Sequence, residues 1–201
     1  MTGIDVSHHQ GLMQWQTAAQ RGAQFAFIRG LYGFNKDGQF ARNWAESRGH
    51  MRRGAYLYML AASDPVRQAQ ALRSLCGEDP GDLPPALDLE YNSKIDGAAN
   101  DPRRFADYRL RVERCLRELE QQFGCTPIVY SGPSFITAHL ATPLFARYPL
   151  WIANYKTNLP TVPYPWPALG WRIWQFTCTW PGQEYGAQSR SIDVNVMQGE
   201  I

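Results

Sequence analysis

Two acids, Asp88 and Glu90, stand one residue apart in the otherwise apolar stretch PALDLEYN, residues 85–92. Successive side chains of a β-strand point to opposite faces, so both carboxyls are predicted to share one face while Leu87 and Leu89 share the other. Paired carboxyl groups suit general acid catalysis, because the charge of one group can keep its neighbour protonated. The pair alone is a weak signal, since one acid capping a turn and the other forming a salt bridge would give the same pattern.

Two further strand-like segments carry an acid that faces away from its apolar neighbours. These acids are Asp5 in GIDVS, residues 3–7, and Asp193 in IDVNV, residues 192–196. If the strands close into a barrel, the first and last strands are neighbours, and both acids meet the D-x-E pair on the barrel axis. Four acids at one place repel each other and raise their pKa values, which favours a catalytic site over acids bonded to backbone amides at the seam.

Eight strand-like segments, separated by polar stretches, must position these acids. They are residues 3–7, 25–33, 54–59, 85–91, 127–132, 150–155, 171–177 and 192–197. Residues 64–77 and 101–124 are predicted as amphipathic helices, the second from an Asp-Pro start to Gly124. Alternating strands and helices favour a cramped (β/α) barrel with its site at the C-terminal strand ends. Residues 158–170 are too rich in proline for a long helix, so we expect an incomplete barrel whose last strands lack full helices or pair antiparallel.

The strands also place aromatic side chains around the acids. They are Tyr32, Tyr56, Tyr58, Tyr130, Trp151, Tyr155 and Trp174. Any one of them would be ordinary in a core, but together with carboxyls they suit a sugar chain, whose apolar ring faces stack on aromatic rings. His8 and His9 follow the first strand and point in different directions, so a loop or sugar-contact role is favoured over a shared metal.

Composition excludes several classes of function. The chain has 201 residues, a formal charge of +2 and 44% hydrophobic residues, which fits one domain with a sizeable core. It has no block of like charge and no apolar run of about 18 residues, so neither nucleic-acid binding nor membrane insertion is expected. The start MTGIDVSHHQG lacks the features of a secretory signal, so we expect synthesis in the cytosol.

The four cysteines include no C-x-x-C pair, and buried thiols are favoured over zinc ligands or disulfides.

Eight motifs occur in an order and at intervals that match a known family. They are GIDVSHHQG, FAFIRG, RRGAYLYM, LPPALDLEYN, PIVYSG, PLWIANY, WRIWQFT and SIDVNVM. Together, from Gly3 to Met197, they resemble glycoside hydrolase family 25, the Chalaropsis-type lysozymes or N-acetylmuramidases. The resemblance implies an irregular barrel with fewer helices than strands. It also implies cleavage of the β-1,4 bond between N-acetylmuramic acid and N-acetylglucosamine in peptidoglycan.

The resemblance also implies roles for individual residues. Glu90 matches the acid that protonates the leaving oxygen, with Asp88 beside it, and Asp5 and Asp193 match the first-strand and last-strand aspartates of the family. The substrate-contacting aromatic residues fall on Tyr56, Tyr130, Trp151 and Tyr155. We expect a monomer without cofactor or metal that binds the glycan chain of peptidoglycan.

Two positions depart from the family pattern, and both are expected near the mouth. Tyr32 stands before Gly33 where many relatives have glutamate, and Leu57 stands where histidine is common. The chain ends at Ile201, straight after the last strand, so we expect a single catalytic barrel over residues 1–201 without a cell-wall-binding module. The setting we expect is a phage endolysin or a delivered bacterial effector that acts on the wall after release.

Two other functions stay open at this point. A catalytically inactive carbohydrate-binding barrel would have Glu90 or Asp88 replaced, and neither is. A metal-dependent polysaccharide hydrolase would use the acid cluster but usually needs histidines, and none lies in the eight segments. The stereochemical route also stays open between retaining, inverting and assistance by the acetamido group of the substrate. We favour the assisted route, with Asp88 orienting that group.

Overall fold

The computed structural model describes residues 1–201 and contains nine strands and five α-helices. The strands are β1 (Thr2–Val6), β2 (Phe25–Tyr32), β3 (Asn35–Lys36), β4 (Arg52–Tyr58), β5 (Ala86–Asp88), β6 (Ile128–Ser131), β7 (Leu150–Ala153), β8 (Ile173–Pro181) and β9 (Ser191–Met197). The helices are α1 (Trp15–Gln20), α2 (Phe40–Glu46), α3 (Pro65–Cys76), α4 (Tyr108–Phe123) and α5 (Pro133–Phe135).

All strands except β3 form a closed ring, in which β1 pairs with both β2 and β9. The pairings from β1 through β2 and β4 to β8 are parallel, whereas β9 is antiparallel to both of its neighbours. The two-residue β3 pairs antiparallel with the end of β2. The predicted irregular barrel is confirmed, and its incompleteness lies in the helices and not in the ring of strands.

The helical layer covers only part of this ring. Helices α1 to α4 lie between the strands from β1 to β6, and α5 with the π-helical turn Ile136–Leu140 follows β6. Residues 154–172, which join β7 to β8, contain no helix, as the prolines predicted. Only the 3₁₀ turn Gly182–Tyr185 separates β8 from β9. One side of the barrel therefore carries no helical cover.

The second predicted helix begins later than expected. Asp101 caps the 3₁₀ turn Pro102–Arg104, Phe105 is extended at φ −119° and ψ 100°, and α4 starts only at Tyr108. The prediction was wrong here because an Asp-Pro signal specifies a single capped turn and not the helix that follows. The predicted end is confirmed, since Gly124 adopts a left-handed conformation with φ 69°.

Strand alternation divides the apolar side chains into two cores. Outward residues such as Ile4, Val6, Leu87 and Leu89 join the core beneath the helices, as predicted. The inner core fills the barrel and consists of Phe25, Phe27, Tyr56, Leu83, Ala86, Ile128, Trp151, Ile173 and Met197.

Gly3 makes room for this inner core. Its register partner on β2 is Phe25, and a Cβ at Gly3 would lie 2.5 Å from the Phe25 ring. The large ring can therefore lie across β1 only because glycine stands there.

All four cysteines are free thiols. Cys76 and Cys115 are buried as expected, but Cys125 is only partly buried and Cys178 is exposed. None of the helices has the length and apolar character that crossing a bilayer requires.

Candidate active site

The four predicted acids converge on one cavity of about 550 Å³ at the C-terminal end of the parallel strands. Asp5 is the fourth residue of β1, and Asp88 is the last residue of β5. Asp193 lies near the start of β9, which reaches the same end of the barrel because β9 runs antiparallel. Glu90 lies two residues beyond β5, so it reaches the cavity from a loop and not from the strand that the sequence predicted.

Asp5 is buried and held by two amide groups. Gln175 Nε2 and Asn195 Nδ2 each donate to Asp5 Oδ2 at 2.8 Å. Burial raises the pKa of Asp5 to about 6, although both hydrogen bonds act in the opposite direction. This carboxyl is therefore fixed in place before any substrate arrives.

Asp88 is buried between two tyrosines, since Tyr58 and Tyr130 are its register partners on the neighbouring strands. Its Oδ1 atom is fully enclosed and has no hydrogen-bond partner. Burial, followed by the charges of Glu90 and Asp5, holds the pKa of Asp88 well above its usual range. A buried acceptor without a partner is uncommon in proteins, and a catalytic carboxyl is one setting in which it occurs.

Glu90 is solvent-accessible within the cleft, while the cleft walls still surround much of its side chain. This partial burial, followed by the charges of Asp96 and Asp5, raises the pKa of Glu90 to about 7. Burial, followed by the charges of Asp5 and Glu90, likewise raises the pKa of Asp193 to about 8. Near neutral pH the cluster thus holds protons that isolated carboxyls would have lost.

All of the predicted aromatic residues except Trp174 line the same cavity, at different depths. Tyr56 and Trp151 belong to the inner core and are only 8% and 2% exposed, so they form its floor. Tyr130 is partly buried, and Tyr155 lies beyond β7 and is 38% exposed. Ring faces for sugar stacking are therefore offered mainly by the two outer tyrosines.

Gln175, which was not among the predicted site residues, links the acids to these tyrosines. It donates to Asp5 as described, while its Oε1 accepts from Tyr130 Oη at 2.9 Å and from Tyr155 Oη. Alternation in WRIWQFT would have found it, because Ile173 faces the inner core. Trp174, predicted near the acids, lies on the opposite face and packs against the outer core.

Asn195 has a similar linking role on β9. It accepts from Trp151 Nε1 at 2.8 Å and donates to Asp5 at 2.8 Å. The floor of the cavity and the Asp5 carboxyl are thus connected by one buried amide.

A buried ion pair forms one wall of the cavity. Arg29 on β2 donates to Asp37 Oδ2 at 3.0 Å, and His8 Nδ1 lies 2.8 Å from the same oxygen. The positive charge of Arg29 opposes the rise in the pKa of both Asp88 and Glu90. His8 and His9 both line the cavity, and no group of three or more His, Cys, Asp or Glu side chains is arranged to hold a metal ion.

The two departures from the family pattern fall in different places. Tyr32 lines the cavity and stacks on Tyr58 with ring centroids 4.7 Å apart. Leu57 is fully buried in the outer core, so the expectation that it lies near the mouth was wrong. Alternation explains this, because its neighbours on β4, Tyr56 and Tyr58, both point into the barrel.

Comparison with known proteins agrees with this geometry. The model of glycosyl hydrolases family 25 matches residues 4–183. The uncharacterized protein YegX of Escherichia coli (strain K12) is 33% identical over 206 residues, covering 99% of this chain and 70% of that protein. Lysozyme M1 of Streptomyces globisporus is 29% identical over 211 residues, covering 98% of this chain and 67% of that protein.

A solved structure shows the same fold. The bacterial lysozyme from Streptomyces coelicolor superposes with a TM-score of 0.85 at 26% identity, covering 99% of this chain and 92% of that chain. The strand ring, the acid cluster and the family match over most of the chain point to one conclusion. This chain belongs to glycosyl hydrolase family 25 and is a glycoside hydrolase.

Proposed function

We propose that this glycoside hydrolase is an N-acetylmuramidase, which cleaves the β-1,4 bond between N-acetylmuramic acid and N-acetylglucosamine in peptidoglycan. The observation that carries the proposal is the pairing of Glu90 with Asp88. The first is open to the cleft with a pKa raised to about 7, and the second holds a buried oxygen without a partner. The similarity to Lysozyme M1 supports the same activity.

Glu90 is the proposed general acid. As the bond between the anomeric carbon and the leaving oxygen breaks, its electron pair stays on that oxygen, which takes the proton of Glu90. The anomeric carbon then carries the positive charge of an oxocarbenium-like state. A carboxyl that still holds its proton near neutral pH is suited to this step.

Asp88 is proposed to orient the acetamido group at position 2 of the sugar. The carbonyl oxygen of that group attacks the anomeric carbon, while its N–H donates to the Asp88 carboxyl, which lines the cavity. Water then attacks the anomeric carbon and gives its proton to the Glu90 carboxylate. The bond to the acetamido oxygen breaks, and its electron pair returns to the acetamido group, which restores both that group and the enzyme. This assisted route retains the configuration of the sugar.

Digestion of purified peptidoglycan tests the proposal. Reduction of the products with borohydride, followed by mass analysis, is expected to show new muramitol ends, and Glu90→Gln is expected to produce none. New glucosaminitol ends would place the cut at the other glycosidic bond. Binding without cleavage would support the inactive barrel.

A chelator distinguishes the metal-dependent alternative. We expect lysis to continue in excess EDTA, because no step of the proposed route uses a metal. Release of acetate without chain cleavage, or loss of lysis restored by added zinc, would instead support a metal-dependent deacetylase or hydrolase.

The biological setting is also a proposal. We propose that the protein is a monomer and reaches the wall as a phage endolysin or delivered effector. Expression in the bacterial cytoplasm should leave cells intact until a pore-forming holin is co-expressed. Lysis without the holin would contradict this route.

A further inference from the structure

Asp96 is a buried acid that the predicted site did not include. It lies in the loop after β5 and lines the same cavity as Glu90. Four groups donate to its carboxylate: Tyr32 Oη, Tyr58 Oη at 2.6 Å, the Asn92 backbone amide at 2.7 Å and Asn100 Nδ2 at 3.4 Å. All four donors are neutral, and no lysine, arginine or histidine pairs with Asp96. These hydrogen bonds fix the position of the Asp96 side chain, and no cation pairs with it to offset a negative charge.

The same donors reach the main chain of Glu90. Asn100 Nδ2 donates to the Glu90 carbonyl oxygen at 3.2 Å, and Tyr58 Oη lies 3.4 Å from it. Asp96 therefore orders two side chains that in turn hold the backbone of Glu90. This connection matters because Glu90 lies beyond the end of β5, where strand pairing no longer fixes it.

The charge of Asp96 acts on Glu90 as well. After burial, it is the largest influence that raises the pKa of Glu90, ahead of Asp5, while Arg29 acts in the opposite direction. Tyr32 supplies one of the four donors. The tyrosine at position 32 and the acid at position 96 thus form a single unit.

We propose that Asp96 is a positioning residue for Glu90: it orders the Glu90 main chain through Tyr58 and Asn100 and places a negative charge beside the Glu90 carboxyl. The inference rests on the proposed role of Glu90 as the general acid. Asp96 does not touch the reacting atoms. The ionisable groups that face Glu90 are Asp5, Arg29, Tyr32, Tyr58, Asp88, Asp96, Tyr130 and Asp193.

The test is the pH profile of kcat/KM on soluble peptidoglycan fragments, which reports the free enzyme's essential groups. In Asp96→Asn we expect the alkaline limb to move to lower pH by about one unit, the lower end of what a nearby charge produces. The loss of rate is then concentrated at neutral and alkaline pH. A purely structural role would lower the rate equally at every pH and leave the limb in place.

Two variants serve as controls. Asp96→Glu keeps the charge, so its alkaline limb should stay at the wild-type position even if kcat falls. Asp101→Asn makes the same substitution in the same loop, at an acid that caps a turn outside the cavity, and should not move the limb. A folded Asp96→Asn variant whose limb stays in place or moves to higher pH would overturn the inference.

A measurement on the wild-type protein covers the case in which Asp96→Asn does not fold. Carbon-13 NMR of labelled aspartate and glutamate carboxyls follows both groups during a pH titration. The inference requires a negative charge on Asp96 in the range in which Glu90 titrates, so a neutral Asp96 carboxyl there would overturn it. An active Glu90→Gln variant would instead defeat the proposed function, so the two failures are distinct.

Discussion

Asp5 and Asp193 are direct cross-strand partners in the antiparallel pair of β1 and β9, although nearly the whole chain separates them. Residues in this relation have Cα atoms about 4.5–5.5 Å apart. Like charges at such positions repel each other, and burial strengthens the effect. The fold thus closes its barrel at a place where two carboxyls compete for protons.

The first prediction concerns stability, because the pKa values of Asp5 and Asp193 are raised to about 6 and about 8. The folded state then binds protons more tightly than the unfolded chain, whose aspartates titrate at about 3.9. This contribution to stability is complete below about pH 4 and is lost as the pH rises through about 6 to 8. At pH 8.5 the melting temperature of Asp193→Asn should therefore exceed that of wild type, by about 2–4 °C for each kcal/mol gained in the free energy of unfolding. At pH 5 the difference in melting temperature should be smaller.

Thermal melts at a series of pH values check this. The control is Asp107→Asn, which removes an exposed acid paired with Arg111 and should show no pH-dependent difference. A constant offset between Asp193→Asn and wild type from pH 5 to pH 8.5 would contradict the prediction.

The second prediction is that Asp5→Asn and Asp193→Asn are not independent in catalysis. Each should lower kcat strongly, because both acids bear on the protonation of the cluster. The double variant should fall well short of the product of the two losses, as expected of groups that act as one unit. Steady-state rates of all four proteins at one pH decide the matter, and strictly multiplicative losses would show separate roles.

The third prediction is that Glu90→Gln lowers kcat by about 10²–10⁴-fold, the usual contribution of a general acid. The amide keeps the shape of the side chain but has no proton to give. At pH 5, where Glu90 is protonated and neutral like the amide, the melting temperature should change little. Glu46→Gln on α2, which loses only a surface pair with Arg42, is the matched control and should keep wild-type activity.

The fourth prediction is a bell-shaped pH profile with its optimum on the mildly acidic side of neutral. Activity should fall as the pH rises through about 7, where Glu90 loses its proton, and as it drops below about 6, where Asp5 gains one. These limbs belong to the coupled cluster and not to single residues. A rate that stays constant from pH 4 to pH 9 would argue against carboxyl catalysis.

The fifth prediction concerns the acetamido group. Peptidoglycan whose N-acetylmuramic acid residues are chemically deacetylated should resist cleavage, because the attacking carbonyl is absent. Asp88→Asn should also lower kcat on the acetylated substrate, because the carboxyl that orients the acetamido group is replaced. If the deacetylated glycan is cut as fast as the native one, the assisted route is wrong, although Glu90 could still act as the acid.

Alternation was enough to predict the barrel and most of the acid cluster. A period of two places Asp5, Asp88 and Asp193 on the inner face without any knowledge of their contacts. Glu90 is at the cavity as expected, but it lies in the loop beyond β5, which ends at Asp88. The antiparallel pairing of β9 was also expected, because the short connections between the last strands leave no room for full helices.

The hydrogen-bonding partners of the acids could not be predicted in the same way. Gln175, Asn195 and Asp96 acquire their roles from residues far away in sequence, and no local pattern marks an amide as a partner for a carboxyl. The depths of Tyr56 and Trp151 depend on how neighbouring side chains fill the barrel. The start of α4 depends on a break at Phe105 that helical periodicity does not show.

The inner core has a consequence for how a polymer is handled. Nine side chains close the barrel beneath the acids, so the molecule offers no tunnel along its axis. A glycan must lie across the opening, and both fragments then face solvent as soon as the bond breaks. Nothing has to be threaded or expelled from the far side. This topology confines every contact with the polymer to one end of the barrel, where the C-terminal strand ends and their loops lie.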